Sequence, residues 1–216
     1  MATVVTLRRA PAAPFLPVET HGRPVCMITM LALAEGDTAE RLLAPLRALG
    51  RPLLDLVRLR PYTALQSMTD TVVPAGRHYY WKSTGLRELD DDVIDTLTEH
   101  AARARSPRSY AILFHLGGAV AETDPAATAF AHRAVPHHLN VNAVWPPRQD
   151  DSLGAVERAW ARDYVAALAP YQDGVYVNFL DRDDRARLSE AFGATARARL
   201  AALRRRLDPD GVSGGA

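Results

Sequence analysis

Two stretches of this chain alternate apolar and polar residues one by one, which restricts the folds open to it. The apolar positions are Leu139, Val141, Ala143 and Trp145 in the first stretch, and Val175, Val177 and Phe179 in the second. Successive side chains of a strand point to opposite faces, so both stretches are predicted to be strands with one apolar and one polar face. Parallel sheets usually bury both faces. The pattern therefore predicts an α+β fold, with an antiparallel β-sheet that has helices packed on one face and a polar, open other face.

The remaining periodic segments supply more strands and the helices. Strands are expected at residues 25–33, 77–83 and 109–116, and helices at residues 37–49, 62–68, 90–105, 152–169 and 188–207. Residues 25–33 are apolar almost throughout, which is typical of a buried strand, and Cys26 within them is expected to be a buried structural thiol. Four prolines in residues 1–24 predict an extended or disordered lead-in, and residues 210–216 are expected to be a disordered tail.

Charge and cysteine content exclude several classes of protein. The 216 residues carry a formal net charge of +1, which gives no electrostatic reason to expect nucleic acid or an anionic membrane as a partner. One cysteine cannot form an intramolecular disulfide, and no secretory signal or membrane span is recognisable, so a cytoplasmic location is expected. The chain contains no Gly-x-Gly-x-x-Gly loop, no Walker loop and no Gly-x-Ser-x-Gly elbow.

The polar sides of the two alternating stretches carry the residues best suited to chemistry. They are His138, Asn140 and Asn142 in the first stretch, and Tyr176 and Asn178 in the second. If both strands belong to one sheet, these side chains form one wall of a site, in which His138 can act as a base and Asn140 can only orient a substrate. Tyr80 and Lys82 share one face of another predicted strand and would add a phenol and an ammonium group. The alternative is that all of these are solvated polar residues on an open sheet face.

A metal site is not expected. His137 and His138 lie near His132, but no cysteine or carboxylate stands at ligand spacing from them.

Short motifs in a fixed order give the chain a family resemblance. They are Pro-Tyr-Thr-Ala-Leu-Gln-Ser-Met at 61–68, Arg-His-Tyr-Tyr-Trp-Lys-Ser at 77–83, His-Leu-Gly-Gly at 115–118, Phe-Ala-His-Arg at 130–133, Leu-Asn-Val-Asn-Ala-Val-Trp at 139–145 and Tyr-Val-Asn at 176–178. The chain resembles bacterial berberine-bridge-enzyme-like FAD-linked oxidases in this order, over roughly residues 25–209. The resemblance implies a substrate domain at residues 25–170 and the family's C-terminal segment at residues 171–209, in one compact unit. The family's FAD-binding domain has no counterpart in this sequence.

The resemblance also implies roles for the residues of the polar wall. FAD is the family's cofactor, with the sheet face lying over the flavin ring and the substrate between them. His138 and Tyr176 are then the candidate catalytic residues, Asn178 lies close to the cofactor, and Asn140, Asn142, Tyr80 and Lys82 are candidates for substrate binding. The expected partners are a small-molecule substrate and either a separate FAD-binding subunit or a second copy of the chain on the open face.

Three functional hypotheses remain open on the sequence. The chain belongs to an FAD-dependent oxidoreductase whose flavin domain is supplied in trans or has been lost by truncation. Alternatively, it is a flavin-free binding protein or cyclase that reuses the substrate pocket, or a nonfunctional gene remnant. Gly211 and Ser213 stand where the family has Asn and Phe, which weakens the first hypothesis.

Overall fold

The computed structural model describes residues 1–70, 73–147 and 151–212, and of Arg182 only the backbone. The strands are β1 (Ala2–Arg9), β2 (Pro24–Leu31), β3 (His78–Leu86), β4 (Tyr110–His115) and β5 (His137–Trp145). The α-helices are α1 (Gly36–Arg47), α2 (Tyr62–Gln66), α3 (Asp91–Ala102), α4 (Ala119–Glu122), α5 (Ser152–Ala167) and α6 (Leu188–Leu207). Short 3₁₀ helices occupy Val18–Thr20, Ala169–Tyr171, Val177–Phe179 and Arg182–Arg187.

The five strands form one sheet in the order β2-β1-β4-β5-β3, and every neighbouring pair is antiparallel. The predicted α+β class with an antiparallel sheet is therefore confirmed. β5 lies between β4 and β3, so its side chains have neighbours on both sides, whereas β3 is an edge strand.

The core lies on one face of this sheet, against α3 and α5. Leu139 and Val141 of β5 pack there with Leu97 of α3 and Tyr164 of α5, and all four are almost fully buried. α3 begins where the sequence predicts, because the Asp90 carboxylate accepts a hydrogen bond from Val93 N at 2.9 Å and so caps the helix.

A fully buried carboxylate fastens α5 to the loop before β4. Glu157 accepts hydrogen bonds from the backbone amides of Arg105 and Ser106, both at 2.8 Å, and from the hydroxyl of Ser109. These three donors provide the solvation that a buried carboxylate would otherwise lack. The charge thus has a structural role on the side of the sheet opposite the polar wall.

The first thirty residues contribute two strands, and one of them differs from expectation. Within the lead-in predicted to be extended or disordered, residues 2–9 are extended as β1, which pairs with both β2 and β4. β2 lies at the sheet edge instead of in the interior, so Cys26 is exposed and Met27 retains 46% of its exposure. An edge strand is shielded by a neighbour on one side only, which an apolar composition does not reveal.

The strand predicted at Gly174–Leu180 does not form. Phe179 N bonds to Tyr176 O at 3.0 Å and Leu180 N to Val177 O at 3.2 Å, so these donors are used in a local 3₁₀ turn instead of a ladder. Val175 is fully buried while Val177 is only half-buried, and the predicted alternation of faces is wrong for this stretch.

Three further observations concern α6, the C-terminal tail and the helices as a group. α6 has a kink at Gly193, whose φ is 66°. Of the tail expected to be disordered, residues 213–216 lie outside the described residues. Among the helices in the described ranges, none combines the length and apolar character needed to cross a membrane.

Candidate active site

The sheet brings three of the predicted site residues onto one face. In the antiparallel register Asn140 lies opposite Ser83, Asn142 opposite Trp81, and His138 opposite Phe114. Directly opposite residues in an antiparallel pair share a face, and residues two apart on a strand do so as well. We call the face that bears His138, Asn140 and Asn142 the polar face; it is opposite to the one that packs on α3 and α5.

The polar face is not open at β5, contrary to expectation. His138 and Asn140 are each 3% exposed and Asn142 is 4% exposed. These side chains are covered because Phe179 lies across β5. The carbonyl of Phe179 accepts a hydrogen bond from Ser83 Oγ on β3 at 3.3 Å, and its ring stacks on Phe114 of β4 with ring centroids 5.7 Å apart. Since β5 lies between those two strands, Phe179 covers it near His138 and Asn140.

Aromatic rings extend this cover. Tyr176 meets the ring of Phe179 edge-on with centroids 5.1 Å apart, and it meets Phe130 in the same way at 5.5 Å. Phe130 in turn lies 6.1 Å from the imidazole of His138. Such edge-to-face contacts are favourable beyond the area that they bury. The polar side chains of β5 are therefore enclosed by residues distant in sequence.

Two atoms beneath this cover have no hydrogen-bond partner among the described residues. They are Nε2 of His138 and Oδ1 of Asn140, both buried. Asn142 differs, because its amide nitrogen donates to the carbonyl of Asn140 at 3.1 Å. Leaving a buried acceptor unsatisfied costs about 1–3 kcal/mol, so native proteins rarely do so without a reason.

Burial also determines the charge state of His138. It lowers the pKa of the imidazole from 6.5 to about 4, with the nearby His132 acting in the same direction and Asp173 opposing it. At neutral pH the ring is uncharged and retains a lone pair, so His138 can accept a hydrogen bond or a proton. The predicted role as a base is chemically open to it, whereas that of a general acid at neutral pH is not.

Tyr176 and Asn178 form a pair at the rim of this arrangement. The amide of Asn178 donates to the hydroxyl of Tyr176 at 2.7 Å, and Asn178 is exposed while Tyr176 is half-buried. They reach the neighbourhood of His138 from a turn beside the polar face, and not as the second strand of a common wall. Tyr176 thus lies close to the ring of Phe130, which is next to His138, although the predicted strand is absent.

Tyr80 and Lys82 are not brought to this place. They lie opposite Ala143 and Val141 in the register, on the sheet face that carries the core. Their polar atoms meet the acidic stretch after the crossing: the Tyr80 hydroxyl donates to Asp183 at 2.5 Å, and Lys82 Nζ lies 2.6 Å from Asp183 and 2.7 Å from Asp184. Strand parity alone, without the register, does not distinguish the two faces.

Sequence reasoning missed the residues that close the site. Phe179 is predicted on an apolar strand face, and the sequence predicts no role in the site for Phe130, Asp183 or Asp184. The aromatic character of the first two and the position of the acidic run just after the Tyr-x-Asn motif were the available signals. The described residues contain no group of three or more His, Cys, Asp or Glu side chains placed to hold a metal ion.

Comparison with curated proteins identifies relatives that use a flavin. An FAD-linked oxidoreductase of Dictyostelium discoideum is 28% identical over 159 residues, which are 71% of this chain and 34% of that protein. The FAD-linked oxidoreductase OXR1 of Pyricularia oryzae is 30% identical over 164 residues, 70% of this chain and 32% of that protein. The chain thus spans about a third of the length of the curated relatives that it matches. No family model matches it.

Solved structures show the same fold. The berberine bridge enzyme of Eschscholzia californica superimposes with a TM-score of 0.72 at 16% sequence identity, over 100% of this chain and 47% of the enzyme. The shared fold, the curated relatives and the ordered motifs agree with one another. Over the part of these proteins that it spans, the chain is similar in sequence to FAD-linked oxidoreductases and has the fold of berberine bridge enzyme.

Proposed function

We propose that this chain forms the substrate-facing part of an FAD-dependent oxidoreductase that acts on a small organic molecule. The polar face of the sheet lies toward the flavin ring and the substrate, and most contacts to the rest of FAD come from a flavin domain outside the described residues. When bound, FAD supplies the redox chemistry by accepting the electrons removed from the substrate. The curated relatives, both FAD-linked oxidoreductases, support the reaction class.

One observation carries the proposal for this site. In the part of the chain that the structure describes, His138 Nε2 and Asn140 Oδ1 are acceptors without partners, buried two residues apart on one strand face. A cost of about 1–3 kcal/mol for each is understandable if a ligand supplies the missing donors. The surrounding rings of Phe130, Tyr176 and Phe179 provide the apolar contacts that a planar molecule needs.

These residues fit the ring end of a flavin or the substrate beside it, and not the adenine end. Backbone amides of a glycine-rich loop usually hold a dinucleotide pyrophosphate, and the sequence contains no such loop. Within the proposal His138 accepts a proton or a hydrogen bond, Asn140 orients the ligand, and Tyr176 faces the substrate. Asn178, the exposed member of the rim pair, is nearest to the flavin domain.

The proposal is tested by flavin binding to the full chain. We expect FAD and riboflavin to bind with similarly weak affinity, because the contacts lie at the ring, and the protein to be colourless after gel filtration. Asn140→Leu should weaken both interactions in a flavin-fluorescence titration. Thr98→Val, at an exposed position of α3 on the opposite side of the sheet, is the control and should leave them unchanged. Tight retention of FAD that Asn140→Leu does not affect would place the cofactor elsewhere and contradict the proposal.

A second candidate function is favoured by the burial of His138, Asn140 and Asn142. A site already covered by its own chain suits a flavin-free protein that binds or cyclises a small molecule. Addition of a flavin-domain polypeptide of the family separates the two candidates. Substrate-dependent bleaching of flavin absorbance only in the presence of the chain supports the oxidoreductase, and its absence supports the flavin-free alternative.

A further inference from the structure

Lys82 is a nearly buried cation whose ammonium group contacts two carboxylates at once. It is the only lysine in the sequence, and its side chain is 9% exposed. Nζ lies 2.6 Å from Asp183 Oδ1 and 2.7 Å from Asp184 Oδ1. Tyr80 donates to the second oxygen of Asp183. We call these four residues the lysine cluster.

Lys82 and Asp183 are both charged at neutral pH. Burial acts to lower the pKa of the Lys82 ammonium, but hydrogen bonds to Asp183, Asp184 and Tyr80 outweigh it and raise that pKa. Burial acts to raise the pKa of Asp183, but the hydrogen bonds from Lys82 and Tyr80 outweigh burial and lower that pKa. Arg162 of α5, 3.4 Å from the Tyr80 hydroxyl, is a further cation in this environment.

The cluster fastens a segment whose regular structure consists of two short 3₁₀ helices. Residues 172–187 run along the free edge of β3, where Gly85 N bonds to Gly174 O and Asp173 N to Gly85 O, both at 2.9 Å. At the other end Arg187 donates to the carbonyl of Ser83 at 3.0 Å. Between these attachments, residues 176–180 cross the polar face and are held by the 3₁₀ turn, the Ser83 bond, the bond from Asn178 to Tyr176 and aromatic contacts.

The cluster and the site lie on opposite faces of the same edge strand. Lys82 points to the core face, and Ser83, the next residue, meets Phe179 on the polar face. Asp183 and Asp184 follow Phe179 by only a few residues, so holding the two carboxylates also restricts where Phe179 can lie. Ion pairs with short bonds and a nearly buried partner are the ones that fix geometry.

We propose that the lysine cluster is a latch that keeps residues 176–180 closed over His138 and Asn140, so that its release opens the polar face to ligand. Lys82 is thus a positioning residue for Tyr176 and Asn178, and it does not itself touch the ligand. This deepens the proposed function, on which its relevance to catalysis rests, although the latch itself is a property of the chain alone.

Chemical access to His138 tests the latch without any flavin. Diethyl pyrocarbonate modifies neutral imidazole, and mass spectrometry assigns the product to each histidine. In the wild type we expect slow modification at His138 and fast modification at the exposed His115. Lys82→Met should accelerate modification at His138 by at least about tenfold, as expected for local opening, with His115 unchanged. Lys82→Arg, which keeps the charge, should restore most of the protection.

A milder variant covers the case in which Lys82→Met fails to fold. Asp183 is 45% exposed, so Asp183→Asn weakens the latch with little effect on the core. In this variant the Lys82 amine should also react faster with an amine-selective ester, measured against the N-terminal amine as an internal standard. Unchanged reactivity of His138 in Asp183→Asn overturns the proposal, as does an equal increase at every histidine. Absence of flavin binding refutes only the proposed function.

Discussion

The uncharged, buried imidazole of His138 makes a measurable prediction about stability and pH. In the unfolded chain its pKa is 6.5, and in the folded protein it is about 4. The folded-state pKa lies below the unfolded-state pKa, so the unfolded state binds more protons between these two values. Stability contributed by the neutral ring is therefore present above the unfolded pKa and is lost progressively as the pH falls toward about 4.

The magnitude follows from the two pKa values. At pH 5 nearly every unfolded chain carries the proton at His138 and few folded chains do, whereas at pH 7 the difference is small. Integration over this interval gives a loss in the free energy of unfolding of about 2 kcal/mol from this one group. The loss is a large part of the total for a domain of ordinary stability.

Urea denaturation at pH 7 and pH 5 measures the effect when the wild type is compared with His138→Gln. The variant is neutral at both values, so it should lose about 2 kcal/mol less than the wild type over the interval. Contributions from groups distant from His138 are common to both proteins and cancel in the difference. Equal losses in the two proteins would refute the argument, since the imidazole would then be solvated in the folded state.

Four further substitutions test the fold by urea denaturation. Val175→Ala should lower the free energy of unfolding by about 1–3 kcal/mol because the side chain of Val175 is fully buried. Val177→Ala should lower it clearly less, because Val177 is only half-buried. Equal losses for the two variants would support the strand alternation that the structure contradicts. Glu157→Ala should cost about 3 kcal/mol or more because three donors lose their acceptor, and a loss below about 1 kcal/mol would mean that water replaces it. Gly85→Ala places a Cβ 2.0 Å from the carbonyl oxygen of Asp173. The free energy of unfolding should therefore fall by about 1–3 kcal/mol, and hydrogen exchange of the Asp173 amide should become faster. Unchanged exchange at Asp173 would contradict the contact between this residue and the edge of β3.

Local sequence patterns predicted most of the secondary structure. The alternation in residues 138–145 corresponds to β5, and the helix predicted at 152–169 corresponds to α5, which is two residues shorter. The strand predicted at Gly174–Leu180 is wrong because a short alternation of apolar and polar residues is also compatible with a 3₁₀ turn that has one side against a protein surface. Periodicity reports the environment of side chains, and over seven residues it does not determine the hydrogen-bonding partner.

The site was predicted in part, for a related reason. His138, Asn140 and Asn142 were correctly grouped, because strand parity is a local property. Their burial depends on Phe179 and Phe130, which approach from other parts of the chain, and the sequence contains no direct record of that approach. The separation of Lys82 from them likewise follows from the register of β3 against β5, which is a long-range property.

The position of β1 has a consequence for any N-terminal truncation of this protein. Residues 2–9 are the only link in the sheet between β2 and β4. Removing them would detach the β2 edge and leave the side of β4 without a neighbour, and an unpaired strand edge invites association with other chains. A shortened version that begins after the proline-rich stretch should therefore aggregate, however dispensable its first residues look in the sequence.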